Sequence, residues 1–264
     1  MKYLTLWVLL LPLFTSAQMN EGARFTALGT SGVALKDVWA VEKNQAGLSD
    51  VVEITLSFNY EQRLMSQDIS TQSALLAIPH RRNVFAFGFQ RYGFSAYNQQ
   101  RASLNYARNL GPAFSAGINF SYHQLKIAGY GSSNAFSAEA GFQYEVNENL
   151  TFGAHIANPS NSRFNTEVNG GVPVALAFGV AYSFSDRVSF SADIEKVMDL
   201  NTDLKVGLEY EPVRWLLIRG GLSANPFRQY AGVGAWYQNI RIDAAVASEM
   251  VTGYSPQIGL SYAF

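Results

Sequence analysis

Residues 114–123 read Phe-Ser-Ala-Gly-Ile-Asn-Phe-Ser-Tyr-His. Phe114, Ala116, Ile118, Phe120 and Tyr122 alternate with Ser115, Gly117, Asn119, Ser121 and His123. Successive side chains of a strand point to opposite faces. This stretch therefore offers one face to an apolar phase and the other to a polar one. A membrane barrel needs that division, with lipid outside and a polar interior. A secreted sandwich also alternates. The two part over aromatics, which a membrane barrel gathers into girdles at the ends of its outward face. This chain crowds Phe and Tyr there, which favours the barrel.

The same period of two recurs outward from this stretch. It runs over Val52–Tyr60, Phe136–Glu145, Val174–Phe184, Val188–Glu195, Asp203–Tyr210 and Ile240–Ala247. Arg214–Ala224 is apolar on both faces and Gln229–Tyr237 is glycine-rich. Their neighbours require both as strands. The pattern predicts about fourteen strands, an even number as bacterial single-chain barrels favour. Their centres fall near residues 55, 75, 87, 104, 119, 140, 153, 178, 191, 207, 218, 233, 244 and 260.

The connections carry independent information. Tight turns are predicted at His80–Asn83, Asn109–Pro112, Asn147–Asn149, Ser185–Arg187, Glu211–Val213 and Gln238-Asn239. Asn, Asp, Gly and Pro there have a turn mechanism. Longer connections are predicted at Gly93–Gln100 and Asn158–Pro173. Short periplasmic turns and longer outer loops are the barrel rule. That alternation predicts both termini on the periplasmic side of a Gram-negative outer membrane. The loops carry Tyr92, Phe94, Tyr97, Tyr130, Phe164, Met198, Met250 and Tyr254, a recognition surface or a set of anchors in the outer leaflet.

Composition narrows the function. The chain has 264 residues, formal charge −1, 15% charged residues and no cysteine. No basic footprint speaks for nucleic acid. Without cysteine there is no disulfide framework and no thiolate metal site. Residues 1–17 read as a signal peptide, with Lys2, an apolar run from Leu4 to Phe14, and Thr15-Ser16-Ala17 as the cleavage site. The run is too short to span a membrane as a helix.

Residues 18–50 then stand apart from the barrel at 51–264, because Gly22–Asp50 lacks the period of two. Asp37 reads as the N-cap of a short helix, ended by Asn44 or Gly47. This segment either closes the barrel lumen or packs on the outside of a soluble sheet. The first reading has natural partners. Glu53, Arg101, Glu139, Glu145, Asp193, Glu195, Lys205, Glu209, Arg241 and Asp243 all fall on the polar phase. A filled lumen must pair such charges, because an unpaired buried charge is costly. Arg24, Lys36, Asp37 and Lys43 of the segment are available for that. An open porin is disfavoured, since porins use about 16–18 strands to leave a channel.

Catalytic motifs are absent. His80 lies in a predicted turn, whereas His123 and His155 fall on polar faces where they could meet in the lumen. Neither has the close spacing of a metal site, and no cofactor is predicted.

The chain ends Gln257-Ile-Gly259-Leu-Ser-Tyr262-Ala-Phe264. This resembles the C-terminal signal that outer-membrane barrels present to their assembly machinery, matched here by Gln257, Gly259, Tyr262 and Phe264. The N-terminal segment resembles the PorV/PorQ family, a branch of FadL-like outer-membrane barrels. The matching residues are Ala23-Arg24, Gly29, Gly32-Val33-Ala34-Leu35, Asp37 and Asn44-Gln45-Ala46-Gly47-Leu48, with Gln45 where the family has proline. Val172-Pro173 before Ala177–Tyr182 looks like a later family motif. The resemblance implies a barrel whose N-terminal segment fills the lumen, with Arg24, Gly29, Gly32, Asp37, Trp39, Asn44, Gly47 and Leu48 forming the plug. It also implies one of two functions. One is type IX secretion, through docking of a translocon or secreted cargo. The other is passage of small hydrophobic molecules across the outer membrane.

Overall fold

A computed structural model describes residues 20–63, 69–164, 171–249 and 253–264. The signal-peptide reading and Met250 lie outside these residues. The strands are β1 (Thr55–Gln62), β2 (Ser70–His80), β3 (Asn83–Gly93), β4 (Tyr97–Asn109), β5 (Phe114–Ile127), β6 (Gly131–Asn147) and β7 (Leu150–Ala157). They continue as β8 (Ala175–Ser185), β9 (Val188–Val197), β10 (Asp203–Val213), β11 (Leu216–Ala224), β12 (Phe227–Tyr237), β13 (Ile240–Glu249) and β14 (Gly253–Ala263). All fourteen predicted centres fall inside a strand. Each strand pairs antiparallel with its sequence neighbours, and β1 pairs with β14 to close a transmembrane barrel without an edge.

Register follows the side-chain pattern, because a slip of one residue would turn every apolar side chain inward. Over residues 114–123 of β5, Phe114, Ile118, Phe120 and Tyr122 are exposed, while Ser115, Gly117, Asn119, Ser121 and His123 are buried. Outward aromatics gather beside the two-residue turns, among them Tyr144, Tyr182, Tyr210, Tyr237 and Tyr262. These side chains suit the boundary between lipid and water.

Four local expectations need correction. Residues 51–54 lie outside the wall, because β1 begins at Thr55; Glu53 is exposed there instead of facing the lumen. The connection near Gly93 is only residues 94–96, since β3 and β4 extend further than their alternation suggested. The turn after β10 is Arg214-Trp215, not Glu211–Val213, because the ladder resumes at Val213↔Leu216 after an irregularity. β11 is not apolar on both faces: Leu217, Arg219 and Ser223 are buried inward while Ile218 and Leu222 face out.

The N-terminal residues form α1 (Ala23–Ala27) and two 3-10 turns, Val38–Glu42 and Gln45–Asp50. α1 packs on β11–β14, and the second turn packs on β3–β6. Asp37 caps the first turn, its side chain accepting from Trp39 N at 2.9 Å. That turn ends at Glu42, and Asn44 starts the next one by accepting from Ala46 N. Two short turns replace the single predicted helix. Asn44 prefers to cap a new start because its amide also donates to Val33 O and Phe142 O.

Candidate functional site

Residues 20–50 are held by inward-facing side chains on almost every side of the barrel. The main contact is a closed ring of six alternating charges. Asp37 Oδ2 accepts from Arg24 Nη1 and Arg241 Nη1, both at 2.8 Å. Arg24 Nη2 donates to Glu209 Oε1 at 2.9 Å, and Glu209 Oε2 accepts from Arg219 Nε at 2.5 Å. Arg219 Nη1 donates to Asp243 Oδ1 at 2.6 Å, and the Asp243 carboxylate forms an ion pair with the Arg241 guanidinium, Oδ2 to Nε 2.7 Å. Three guanidinium groups face three carboxylates, so the ring is neutral. Desolvation makes isolated buried charges expensive, and alternation offsets that cost. Burial opposes ionisation of Asp37, but Arg241, Arg24 and the Trp39 N–H outweigh it and hold the carboxyl well below its ordinary range.

Further polar contacts surround the segment. Lys43 Nζ donates to Glu21 at 3.1 Å and to Glu195 at 3.0 Å, and Lys205 Nζ reaches the same Glu195 oxygen at 2.8 Å. Asp193 Oδ2 accepts from the backbone of Gly32 and Val33 at 2.7 and 3.1 Å. Arg101 joins Glu42 at 2.5 Å and Glu139 at 2.7 Å. Gln45, at the position where the resembling family has proline, donates from its amide to Glu139 at 3.0 Å. Lys36 bridges Asp50 and Glu145. Burial pushes the Glu42 carboxyl up to about 7, against the pull of Arg101.

Of the predicted lumen-facing charges, Glu53 alone falls outside this arrangement. Arg219 was missed, hidden in a stretch read as apolar on both faces. Its cross-strand position opposite Glu209 is the signal that could have found it. His123 and His155 do not meet. His123 Nε2 lies 2.8 Å from Ser137 Oγ, and His155 Nε2 lies 3.2 Å from Glu139.

The wall admits the segment's backbone through glycine. A Cβ on Gly117 would lie 2.6 Å from Gln45 C, and one on Gly207 would lie 2.6 Å from Leu28 O. A Cβ on Gly141, Gly153 or Gly221 would come closer still to Asn44, Val33 and Gly29, and one on Gly179 would lie 2.8 Å from Val33 Cβ. Gly117 faces Gly141, Gly153 faces Gly179, and Gly207 faces Gly221 across their ladders. The inner wall is thus recessed where the chain crosses it. Within the segment, Gly29 adopts φ +68, where a Cβ would meet Val206 O at 2.6 Å, and Gly47 faces Leu35 O.

One sector differs. Phe25, Val38, Trp39, Val41 and Leu48 form one apolar cluster with Leu75 and Ala77 of β2, Val84 and Ala86 of β3, and Ala107 of β4. Below it opens a polar depression of about 500 Å³, lined by Lys36, Asp50, Arg82, Asn109, Gly111, Pro112 and Glu145.

The C-terminal residues divide between the faces. Gln257 is buried and donates to Asn20 Oδ1 at 2.8 Å; Gly259 also faces inward. Tyr262 and Phe264 face out, with ring centroids 4.8 Å apart. Asn20 Oδ1 also accepts from Asn59 at 2.7 Å, so this residue bridges the β1–β14 closure from inside.

No protein-family model matches the chain, and no curated protein matches it. Solved structures do. The TodX deltaS2S3 mutant monoaromatic hydrocarbon channel aligns with TM-score 0.75 and 12% identity, over 92% of this chain and 99% of that one. The Ralstonia pickettii toluene transporter TbuX aligns at 0.68 and 14%, over 92% and 98%. A Pseudomonas aeruginosa FadL homologue aligns at 0.65 and 11%, over 92% and 98%. At such identities the likeness establishes the fold: the chain is a closed fourteen-stranded transmembrane barrel built like these channels.

Proposed function

We propose that this protein is an outer-membrane channel of the FadL-like kind, passing small hydrophobic solutes, with residues 20–50 closing its lumen as a plug. The observation that carries this is the end-to-end match to hydrocarbon channels, which covers nearly the whole of each neighbour. An apolar outer face and a polar inner one support its place in the outer membrane. The plug residues are Arg24, Gly29, Gly32, Asp37, Trp39, Asn44, Gly47 and Leu48. Arg24 and Asp37 bind the ring, Gly32 binds Asp193, and Leu48 and Trp39 bury apolar surface. The test is uptake of labelled toluene by a Gram-negative host stripped of its own hydrophobic channels. Expression should raise the uptake rate, and an unchanged rate with the barrel folded in the membrane defeats the reading.

A second reading, partner docking in type IX secretion, draws on the resemblance of Ala23 to Leu48. The densely ion-paired lumen favours it, since a dock needs no open path. Native mass spectrometry of gently extracted protein separates the two. A stoichiometric translocon or cargo protein supports docking, and a retained apolar molecule supports the channel.

A further inference from the structure

The outward face is not uniform around the barrel. On β2–β6, at the end opposite the short turns, a row of polar side chains runs unbroken from strand to strand. Gln72 stands opposite Arg91, Arg91 opposite Gln100, Gln100 opposite Gln124, and Gln124 opposite Asn134. Lys126 is the next outward residue on β5. Arg91 and Lys126 are exposed, and among the described residues neither has an ion-pair partner. No described carboxylate lies on this part of the outward face.

The row directly below it is apolar. Phe89, Ala102, Tyr122 and Phe136 are successive cross-strand neighbours, and the Tyr122 and Phe136 rings lie 5.3 Å apart. Ala102, with only a methyl group, leaves a recess between Phe89 and Tyr122. About 9–11 residues of tilted strand cross a bilayer. On β5 that length, counted from the outward Phe114 at the short-turn end, is used up near Tyr122. The polar row therefore stands where lipid headgroups begin.

The opposite side of the barrel differs. There Leu176, Ile194, Leu204 and Leu222 are exposed towards the same end, and Lys196 donates to Leu200 O of its own connection. A strand end that only met water would mix both signs of charge. The β2–β6 row carries cations and amides alone.

We infer that this face of β2–β6 holds a phosphorylated glycolipid of the outer leaflet, its phosphate on Arg91 and Lys126 and an acyl chain in the recess at Ala102. This rests on the outer-membrane reading with the short turns on the periplasmic side, and not on passage of any solute. Clustered cations beside a bilayer bind anionic headgroups. Arg91 and Lys126 stand two strands apart, about 10 Å in the pairing direction, so both reach one headgroup. The amides of Gln100, Gln124 and Asn134 can each donate and accept, as sugar hydroxyls require.

The test is native mass spectrometry of the full-length protein in dodecyl maltoside with added diphosphoryl lipid A. Retention of the lipid is expected. The double variant Arg91→Gln, Lys126→Gln, checked for the heat-modifiable mobility of a folded barrel, should bind on the order of tenfold more weakly. Lys196→Gln should bind as the unaltered protein does, and dephosphorylated lipid A should be held as weakly as in the double variant. Equal retention by the double variant, or equal retention of phosphatidylglycerol, overturns the proposal. Sidedness is read separately. The chain has no cysteine, so Tyr130→Cys, in the exposed connection after β5, should react with an impermeant maleimide on intact cells. Reaction only after lysis would put this face in the other leaflet and remove the proposal. Toluene uptake decides the channel reading by itself, so either can fail while the other stands.

Discussion

Asp37 of the N-terminal segment and Arg241 of β13 meet at 2.8 Å, 204 residues apart in the chain. The same Asp37 oxygen also holds Arg24. Asp37 therefore sits between two guanidinium groups, one on its own segment and one on the wall. Asp37→Ala removes the carboxylate that balances both and the cap of the following turn. Breaking a buried pair costs about 3–5 kcal/mol, and losing a cap adds about 1. The urea midpoint of unfolding should fall accordingly, while Glu211→Ala at the short-turn end should leave it in place. Equal midpoints for the two variants would remove the ring as an anchor.

Glu42 predicts a pH dependence of the opposite sign to Asp37. Its neighbours are Arg101 on β4, Glu139 on β6 and Glu21 of the segment itself. Burial raises the carboxyl from its ordinary 4.5 to about 7. The folded state therefore holds this proton more tightly than the unfolded chain. Its share of stability is fully present below 4.5 and is lost as pH rises through about 7, a contribution of ~3 kcal/mol. Amide exchange over residues 38–50 should quicken between pH 5 and 8 beyond the intrinsic rate change. Glu42→Gln should flatten that response, and the same profile in both proteins would refute it.

The recessed wall gives a steric prediction. Gly153→Val places side-chain atoms on Val33 O, which cannot move without releasing Val33 N from Asp193. The variant should fold poorly or unseat the plug, at a cost of about 1–3 kcal/mol or more. Gly111→Ala meets nothing within 4 Å and should be neutral. The comparison is read from heat-modifiable mobility of the two purified variants.

Deleting residues 22–48 should raise single-channel conductance in planar bilayers. The deletion leaves Arg219, Lys205, Arg241 and Asp193 around an empty lumen, which water and ions would fill. Conductance equal to that of the intact chain would show that another element closes the path.

Phe264 predicts a split between assembly and stability. It is exposed and contacts Tyr262 on the outer face. Its proposed role is to be read by the assembly machinery with Gln257, Gly259 and Tyr262. Phe264→Ala should reduce the amount inserted in cells several-fold, yet change the unfolding midpoint of refolded protein by less than about 1 kcal/mol. Normal insertion in cells would count against the signal.

What could be read from the chain alone is whatever repeats locally. Strand existence, inward and outward faces, and most turns follow from a period of two and from turn chemistry. These act between residues a few positions apart, as in Phe114–His123 and Asn147–Asn149. The charges on the inward phase were legible for the same reason, from Arg101 to Asp243. The exceptions are local in another way. Glu53 kept the alternation but lay before the first ladder pair, and Arg219 was masked by Leu216, Leu217 and Ile218 around it. Tertiary structure alone decided which charge meets which. Arg24 finds Glu209 185 positions away because closing β1 on β14 brings the strand faces around one lumen. Likewise no pattern shows that the six-charge ring joins the N-terminal segment to β10, β11 and β13 while its apolar cluster packs against the short-turn ends of β2–β4. That asymmetry arises from the segment's path across a curved wall, and pairing energy at such separations depends on where the backbone has been carried.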